Sequence, residues 1–504
     1  MNDTNIPHLN LYIKPELFDH LIYPISTKLD DNSIIVLFRK LRIFNEQDFK
    51  ISLKEWTQRA KEIGLTENES KVLFQTYKIF DSDNPEYLSN VNSRYESSSN
   101  KDTVNASYFG LYFVLQTYLQ RTKISLNIEK NDKSPSSYLN SPLTSPRSKN
   151  VNTFRNQNQE QEYHYMVNFI KTNLKLFLRI ISSDIHNSET NISQNEFNTL
   201  RFLFKLDGEI SNTDKQKKPL SSYTNFFENK IPGINKINMN IINDFLQNSI
   251  SNDPPLDSDY IQIKNLSKCV TIKTSTDVQN KNIKITQCED SYIYINTHIV
   301  NCKISYCTNC TIVIAVASKI ITIDKCEKCQ ISIISNLTRI SNAIDTNVYM
   351  YSVSEPILFG DNRGLSLGPH NVTYNDLYSF IRSSKILLSH QGIKNFSIPI
   401  NLNPKNDINI ISPEHFNTIV VPFDKNSIGY KLTPKIYIEA IEKKYETYNK
   451  IKNMIKNSGL SEEEEKNFHR AIQGYFREWL VTSGNFKTMN NIVKMIDSPF
   501  FNFK

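Results

Sequence analysis

A right-handed parallel β-helix at the centre, flanked by α-helical N- and C-terminal regions, is the architecture this 504-residue sequence predicts. Three observations predict it. Between about 261 and 374 the same residue types return every 19 positions. Within each repeat the apolar residues alternate with period two, which marks strand and not helix. Outside that window the apolar spacing changes to 3 and 4, with capping residues at the expected places.

The repeat is legible as ladders. Cys288, Cys307 and Cys326 form one, and Ser291, Cys310 and Cys329 another. Ile293, Ile312 and Ile331 follow the same step, as do Ile295, Ile314 and Ile333, and Ile285, Ile304 and Ile323. Ile283, Cys302, Ile321 and Ile340 carry the pattern into a further turn, and the segment from Ile261 joins if three extra residues precede Ile283. A single repeat has an apolar face it cannot bury alone, so successive coils must stack. Turns are expected at polar positions such as Asn309 and Lys328.

The flanks read differently. In the first part of the N-terminal region, 1–127, Trp56, Ala60 and Ile63 share a helical face, Gly64 stops that helix, and Thr66 with Glu69 makes a capping box for the next. Residues 128–160 are polar, rich in Ser, Pro and Asn, and expected to be a disordered linker. Ser134, Ser141 and Ser145 each precede a proline there. Helical patterning resumes in the second part, 161–255, which Pro254 and Pro255 end. The C-terminal region, 378–504, turns mostly helical from about Pro434. Tyr437, Ala440, Ile441 and Tyr445 share a face, and Gly459 follows. Ser461 and Glu464 then cap a helix carrying Phe468, Ala471, Ile472, Tyr475, Phe476, Trp479 and Leu480. That stripe is expected to cap the coil or bind a partner.

Bulk properties exclude several classes. The formal charge of +7, from 59 basic and 52 acidic side chains, is a weak basis for nucleic-acid binding. The N-terminus lacks a signal-peptide pattern and no apolar run is long enough for a membrane span, so the cytoplasm is the expected compartment. No GxxxxGK[ST], HExxH or GxSxG pattern occurs. Cys307, Cys310, Cys326 and Cys329 have the spacing of a four-thiolate zinc site. The 19-residue register is a competing cause, and the β-branched run TIVIAVASKIITIDK between the pairs favours buried structural thiols. No cofactor or metal is expected, with zinc on those four cysteines as the alternative. His370, between Pro369 and Asn371, is expected to hold a turn.

The coil pattern, with PILFGDNRGLSLGPHNVTYNDL (356–377) after it, resembles the tubulin-binding cofactor C (C-CAP/cofactor C-like) domain, over a domain of 261–377. PEHFNTIVVPF (413–423) and FREWLVTSG (476–484) resemble the C-terminal region of one branch of that family. In its enzymatic members the resemblance implies a glutamine and an arginine finger on one strand before a cysteine. Aligned on Cys326, the arginine position is Thr322 and the glutamine position Ile320. Threonine has neither the charge nor the planar fork of an arginine, so no catalytic residue is expected. Lys319 is expected on the opposite strand face, and Arg339 about one coil away. The branch implies a non-catalytic scaffold or adaptor in the cytoplasm and cytoskeleton, at the centrosome or spindle pole, that contributes to centrosome and Golgi positioning and to cell shape. Its implied partners are centrosomal or cytoskeletal proteins, tubulin among them. The alternative is a GTPase-activating or tubulin-folding cofactor.

Overall fold

The computed structural model describes residues 9–43, 50–81, 103–122, 154–183, 191–206, 218–227, 236–255, 260–424, 432–459 and 461–482. The chain divides into two compact units, Met1–Tyr260 with Ile400–Leu402, and Ile261–Pro399 with Asn403–Lys504.

The first unit is helical, and four of its helices start directly from short strands. Lys50–Ser52 pairs antiparallel with Thr103–Asn105, and Asn191–Ser193 with Lys236–Asn238. Each of these strands ends in a Ser or Asn that caps the helix immediately after it: Ser52, Asn105, Ser193 and Asn238. Such oxygens satisfy backbone N–H groups that lack a partner within the helix. The Thr66–Glu69 box forms as expected, and Gly64 takes the left-handed φ of +87° that ends the preceding helix. Trp56 is fully buried, edge-on to Phe109 at 4.7 Å, and its indole N–H donates to Ser70 O. Residues 128–153 of the expected linker lie outside the described residues, whereas helix Phe154–Ile181 takes in its last seven.

The second unit is a parallel β-solenoid of about six turns. Its strands are β1 (Tyr260–Lys264), β2 (Val270–Lys273), β3 (Asn282–Thr286), β4 (Tyr292–Ile299), β5 (Cys302–Ser305) and β6 (Thr311–Asp324). They continue as β7 (Gln330–Ser341), β8 (Asn347–Ser352), β9 (Ile357–Phe359), β10 (Leu365–Pro369) and β11 (Ile408–Ile410). The order along one path is β11-β10-β8-β7-β6-β5-β3-β1, with β4 on β6 and β2 and β9 on β7. Ile312 sits between Ile293 and Ile331, and Ile314 between Ile295 and Ile333, so the isoleucine ladders are physical columns. These side chains are buried and form one core from coil to coil. Fully burying an isoleucine stabilises by about 1.5–3 kcal/mol, and the columns repeat that gain in every turn.

Each coil turns one corner with two left-handed residues. Tyr306 and Asn309 have φ of 55° and 52°, Lys325 and Lys328 both 52°, Asn342 and Asp345 51° and 47°. The last corner uses Gly360 and Gly364, the residue type with no steric penalty there. The three extra residues near the start of the coil accommodate a short helix, Ser275–Val278, whose Val278 joins the core. One ladder needs correcting. The corner at Lys325 and Lys328 recurs at Asn342 and Asp345 after 17 residues, not 19. Ile340 therefore pairs with Ile323, and Thr338 takes the place beside Ile321.

The segment after the coil covers it. Helix α1 (Leu377–Ser383) places Leu377 and Ile381 with Val372, Tyr374 and Ile386 over the outward side chains Tyr294, Val313, Ile334 and Tyr351. Helix α2 (His390–Lys394) puts Gly392 against Tyr351, where an added Cβ would collide with the phenol oxygen. Phe396, Phe416 and Tyr437 extend the coil's own core, and Tyr437 Oη donates to Ile411 O at 2.7 Å. Tyr437 belongs to helix α3 (Lys435–Lys456), the only part of the expected helical cap that joins this core among the described residues. Beyond it Tyr445 is 66% exposed, and helix α4 (Glu462–Thr482) shows its apolar stripe to solvent. The side chain of Leu480 lies outside the described residues.

Candidate functional site

The position of greatest chemical interest, Thr322, lies in a column running across five coils. Register places Lys284 beside Lys303, Lys303 beside Thr322, Thr322 beside Arg339, and Arg339 beside Ile357. Ile321 and Ile323 point into the coil, so this column alternates to the outward face. Lys284 and Lys303 are half-buried, whereas Thr322 and Arg339 are buried, the latter 2% exposed. The Arg339 guanidinium lies 5.1 Å from the centre of the Phe359 ring, within cation–π range. The expectation that Arg339 stands about one coil from Thr322 is refined by the short 17-residue coil. The two are direct neighbours, about 4.8 Å apart by strand spacing.

Ile320 belongs to the neighbouring outward column. Asn301 Nδ2 donates to Asn282 Oδ1 at 3.0 Å, and Asn301 Oδ1 accepts the Ile320 N–H at 3.1 Å. An amide ladder thus ends at Ile320, whose own side chain is apolar and fully buried. Lys319 is 8% exposed at an irregular stretch of β6, where the register shifts between Ala317 and Ile320. Simple alternation does not carry through that corner, so it does not set the face of Lys319.

The cysteines are placed by the corners. In Tyr306–Cys310 and again in Lys325–Cys329, each left-handed residue is followed at once by an inward cysteine, which makes the CxxC spacing. Each of these thiols points back at the carbonyl two residues earlier, at 3.5 Å for Cys307, 3.4 Å for Cys310, 3.6 Å for Cys326 and 3.4 Å for Cys329. Among the described residues no group of three or more His, Cys, Asp or Glu side chains is arranged to hold a metal ion. Burial pushes the Cys302 thiol well above its ordinary range. Hydrogen bonding to Cys307 and Cys329, then burial, does the same for Cys326. Hydrogen bonds from Cys288 and Cys326 hold Cys307 below the ordinary thiol range, and those from Cys310 and Cys326 do the same for Cys329, so the four thiols of the paired motif do not share one protonation state.

His370 is likewise structural in its surroundings. Its carbonyl accepts from Thr433 Oγ1 at 2.9 Å, and burial lowers its imidazole from 6.5 to about 3, so it is neutral. Asn371 Nδ2 donates to Asn417 O, and Asn371 O accepts the Ile419 N–H. The Pro-His-Asn turn thereby anchors the segments that cover the coil.

The sequence model of one family, Tubulin binding cofactor C, matches residues 280–396, from the third strand of the coil through helix α2. The chain carries a tubulin-binding cofactor C domain. Relatives sharing it include TBCC domain-containing protein 1 of Xenopus tropicalis, 21% identical over 237 residues, 46% of this chain and 43% of that protein. The Danio rerio protein of the same name is 20% identical over 252 residues, 49% of this chain and 43% of its own length. The human one is 17% identical over 225 residues, covering 44% and 40%. The chain spans less than half the length of the curated relatives it matches. No helix among the described residues is long and apolar enough to cross a membrane.

Within this cofactor C domain, the missed feature is the pairing of Arg339 with Thr322. Its signal was in the sequence. The turn-forming residues Asn342 and Asp345 follow Lys325 and Lys328 by 17 residues, and counting corners rather than isoleucines would have found the short coil.

Proposed function

We propose that this chain is a non-catalytic cytoskeletal scaffold or adaptor acting at the microtubule-organising centre, with a part in centrosome and Golgi positioning and cell shape. The observation that carries the non-catalytic reading is Thr322, the residue that the family resemblance aligns with the arginine finger, and its side chain is buried. An arginine finger contributes about 10³–10⁵ in rate, or roughly 4–7 kcal/mol. A threonine hydroxyl offers one neutral hydrogen bond of about 0.5–1.5 kcal/mol. The membership in a tubulin-cofactor domain family supports the cytoskeletal part of the reading.

A second reading, GTPase activation, is favoured by one observation only, the guanidinium of Arg339 in the adjoining coil. To serve, that side chain would leave its place beside Phe359 and reach across about 4.8 Å. Single-turnover GTP hydrolysis by polymerisation-blocked tubulin and small GTPases, with and without the full chain, separates the two. The scaffold reading expects less than about twofold acceleration. A rate gain above about tenfold that disappears in Arg339→Ala overturns it.

A further inference from the structure

The apolar stripe of helix α4 has no use in the fold described above. Phe468, Ile472, Tyr475, Phe476 and Trp479 are 41%, 46%, 79%, 46% and 55% exposed. We propose that α4 is a self-association surface that pairs antiparallel with α4 of a second copy of this chain. Phe468, Ile472, Tyr475 and Trp479 follow one another by 4, 3 and 4 residues, the alternation of steps along the seam of a two-helix pair.

The stripe also matches itself. Antiparallel pairing about the midpoint between Gln473 and Gly474 sets Phe468 opposite Trp479, Ala471 opposite Phe476, and Ile472 opposite Tyr475. The six apolar positions from Phe468 to Trp479 thus meet apolar positions, whereas Leu480 falls opposite Asn467, and each pair occurs twice, as a two-fold isologous contact requires. The same operation brings His469 of one copy level with Glu478 of the other, on opposite sides of the seam. Arg470 and Arg477 fall on the helix face turned away from it. Four aromatic rings and one isoleucine per copy bury on the order of 1,000 Å² in total, the lower edge of a specific interface.

The chain's own helix α3 matches only the first half of the stripe, where its exposed Tyr445, Tyr448 and Ile451 would lie level with Phe468 and Ile472. A hairpin turning at Gly459 would bring Tyr475, Phe476 and Trp479 alongside Glu439, Glu442 and Lys443, all exposed and charged. The apolar residues at that level of α3, Tyr437 and Ile441, face the coil core instead.

The test is sedimentation of the full chain at about 10 µM. The expected mass is twice the chain mass of 58.5 kDa. The double variant Ile472→Asp, Tyr475→Asp is expected to sediment as a monomer, with association at least about tenfold weaker and helicity retained. Arg470→Glu with Arg477→Glu, on the outer face, is expected to stay dimeric. A photo-crosslinking phenylalanine analogue in place of Phe468 is expected to capture residues 475–482 of the second copy. A monomeric native chain, or a dimer that survives the Ile472 and Tyr475 changes, overturns the proposal. So does capture of residues 465–470 of the second copy, of α3 in the same chain, or of an unrelated protein instead of a second copy.

Discussion

At the scale of single residues, His370 shows how burial becomes a pH dependence. Its imidazole titrates near 6.5 when the chain is unfolded and at about 3 in the folded coil, because burial disfavours the charged form. Between those values the unfolded chain binds the extra proton, so stability rises with pH across that window. The contribution is complete above about pH 6.5 and falls by about 1.4 kcal/mol for each unit below it. Burial lowers His298 as well, which adds in the same direction. Urea unfolding at pH 7.5 and 5.5 is therefore expected to differ by at least about 1 kcal/mol, with most of the difference removed in His370→Gln. Equal stability at the two pH values would show that His370 is solvated. The two pH values compared lie above the carboxylate range, so acid titration of Asp and Glu does not confound the comparison.

At the scale of elements, the coil is a stack in which each turn touches only its neighbours. Its seven cysteines report on that stack, because six are buried and Cys269 alone is partly exposed. A thiol reagent added to the native protein is expected to label Cys269 quickly. The other six should become reactive together, as the coil unfolds. Early labelling of Cys307, Cys310, Cys326 and Cys329, or about one zinc per chain by elemental analysis, would revive the four-thiolate reading. Because the corner geometry itself generates the CxxC spacing, the motif loses its force as a metal signature in this setting. The capping boxes at Thr66 and Ser461 and the stops at Gly64 and Gly459 formed as read, since they depend on neighbours within four residues.

At the scale of the whole molecule, the proposed scaffold role divides labour between the coil with its helical additions and the polar stretch before them. The Ser-Pro positions 134, 141 and 145 lie outside the described residues. Deleting 134–149 is expected to leave the protein at the microtubule-organising centre, as judged by imaging a tagged full chain beside a centrosomal marker. Dispersal by that deletion alone would make the Ser-Pro segment the address and remove localisation from the coil. Loss of the signal in the Ile472 and Tyr475 variants, with the deletion silent, would instead tie localisation to the face of helix α4.

The sequence by itself determined the period of the coil, the inward ladders, the corner positions at Asn309 and Lys328, and the helix ends. It also placed threonine and isoleucine where the enzymatic relatives are read to carry arginine and glutamine. These features are local or strictly periodic, so spacing alone encodes them. Only the tertiary structure decided that Arg339 stands beside Thr322, because a coil shortened by two residues shifts every later pairing while leaving the alternation intact. It also decided that the outward face at Tyr294 and Val313 is covered by residues 372–386, contacts made across 59 residues and more that no local pattern announces. And it separated the two C-terminal apolar faces, which look alike in sequence. Tyr437 is 6% exposed inside the coil core, and Trp479 is 55% exposed on helix α4. Helical spacing says that a face is apolar; what covers it depends on where the rest of the chain arrives.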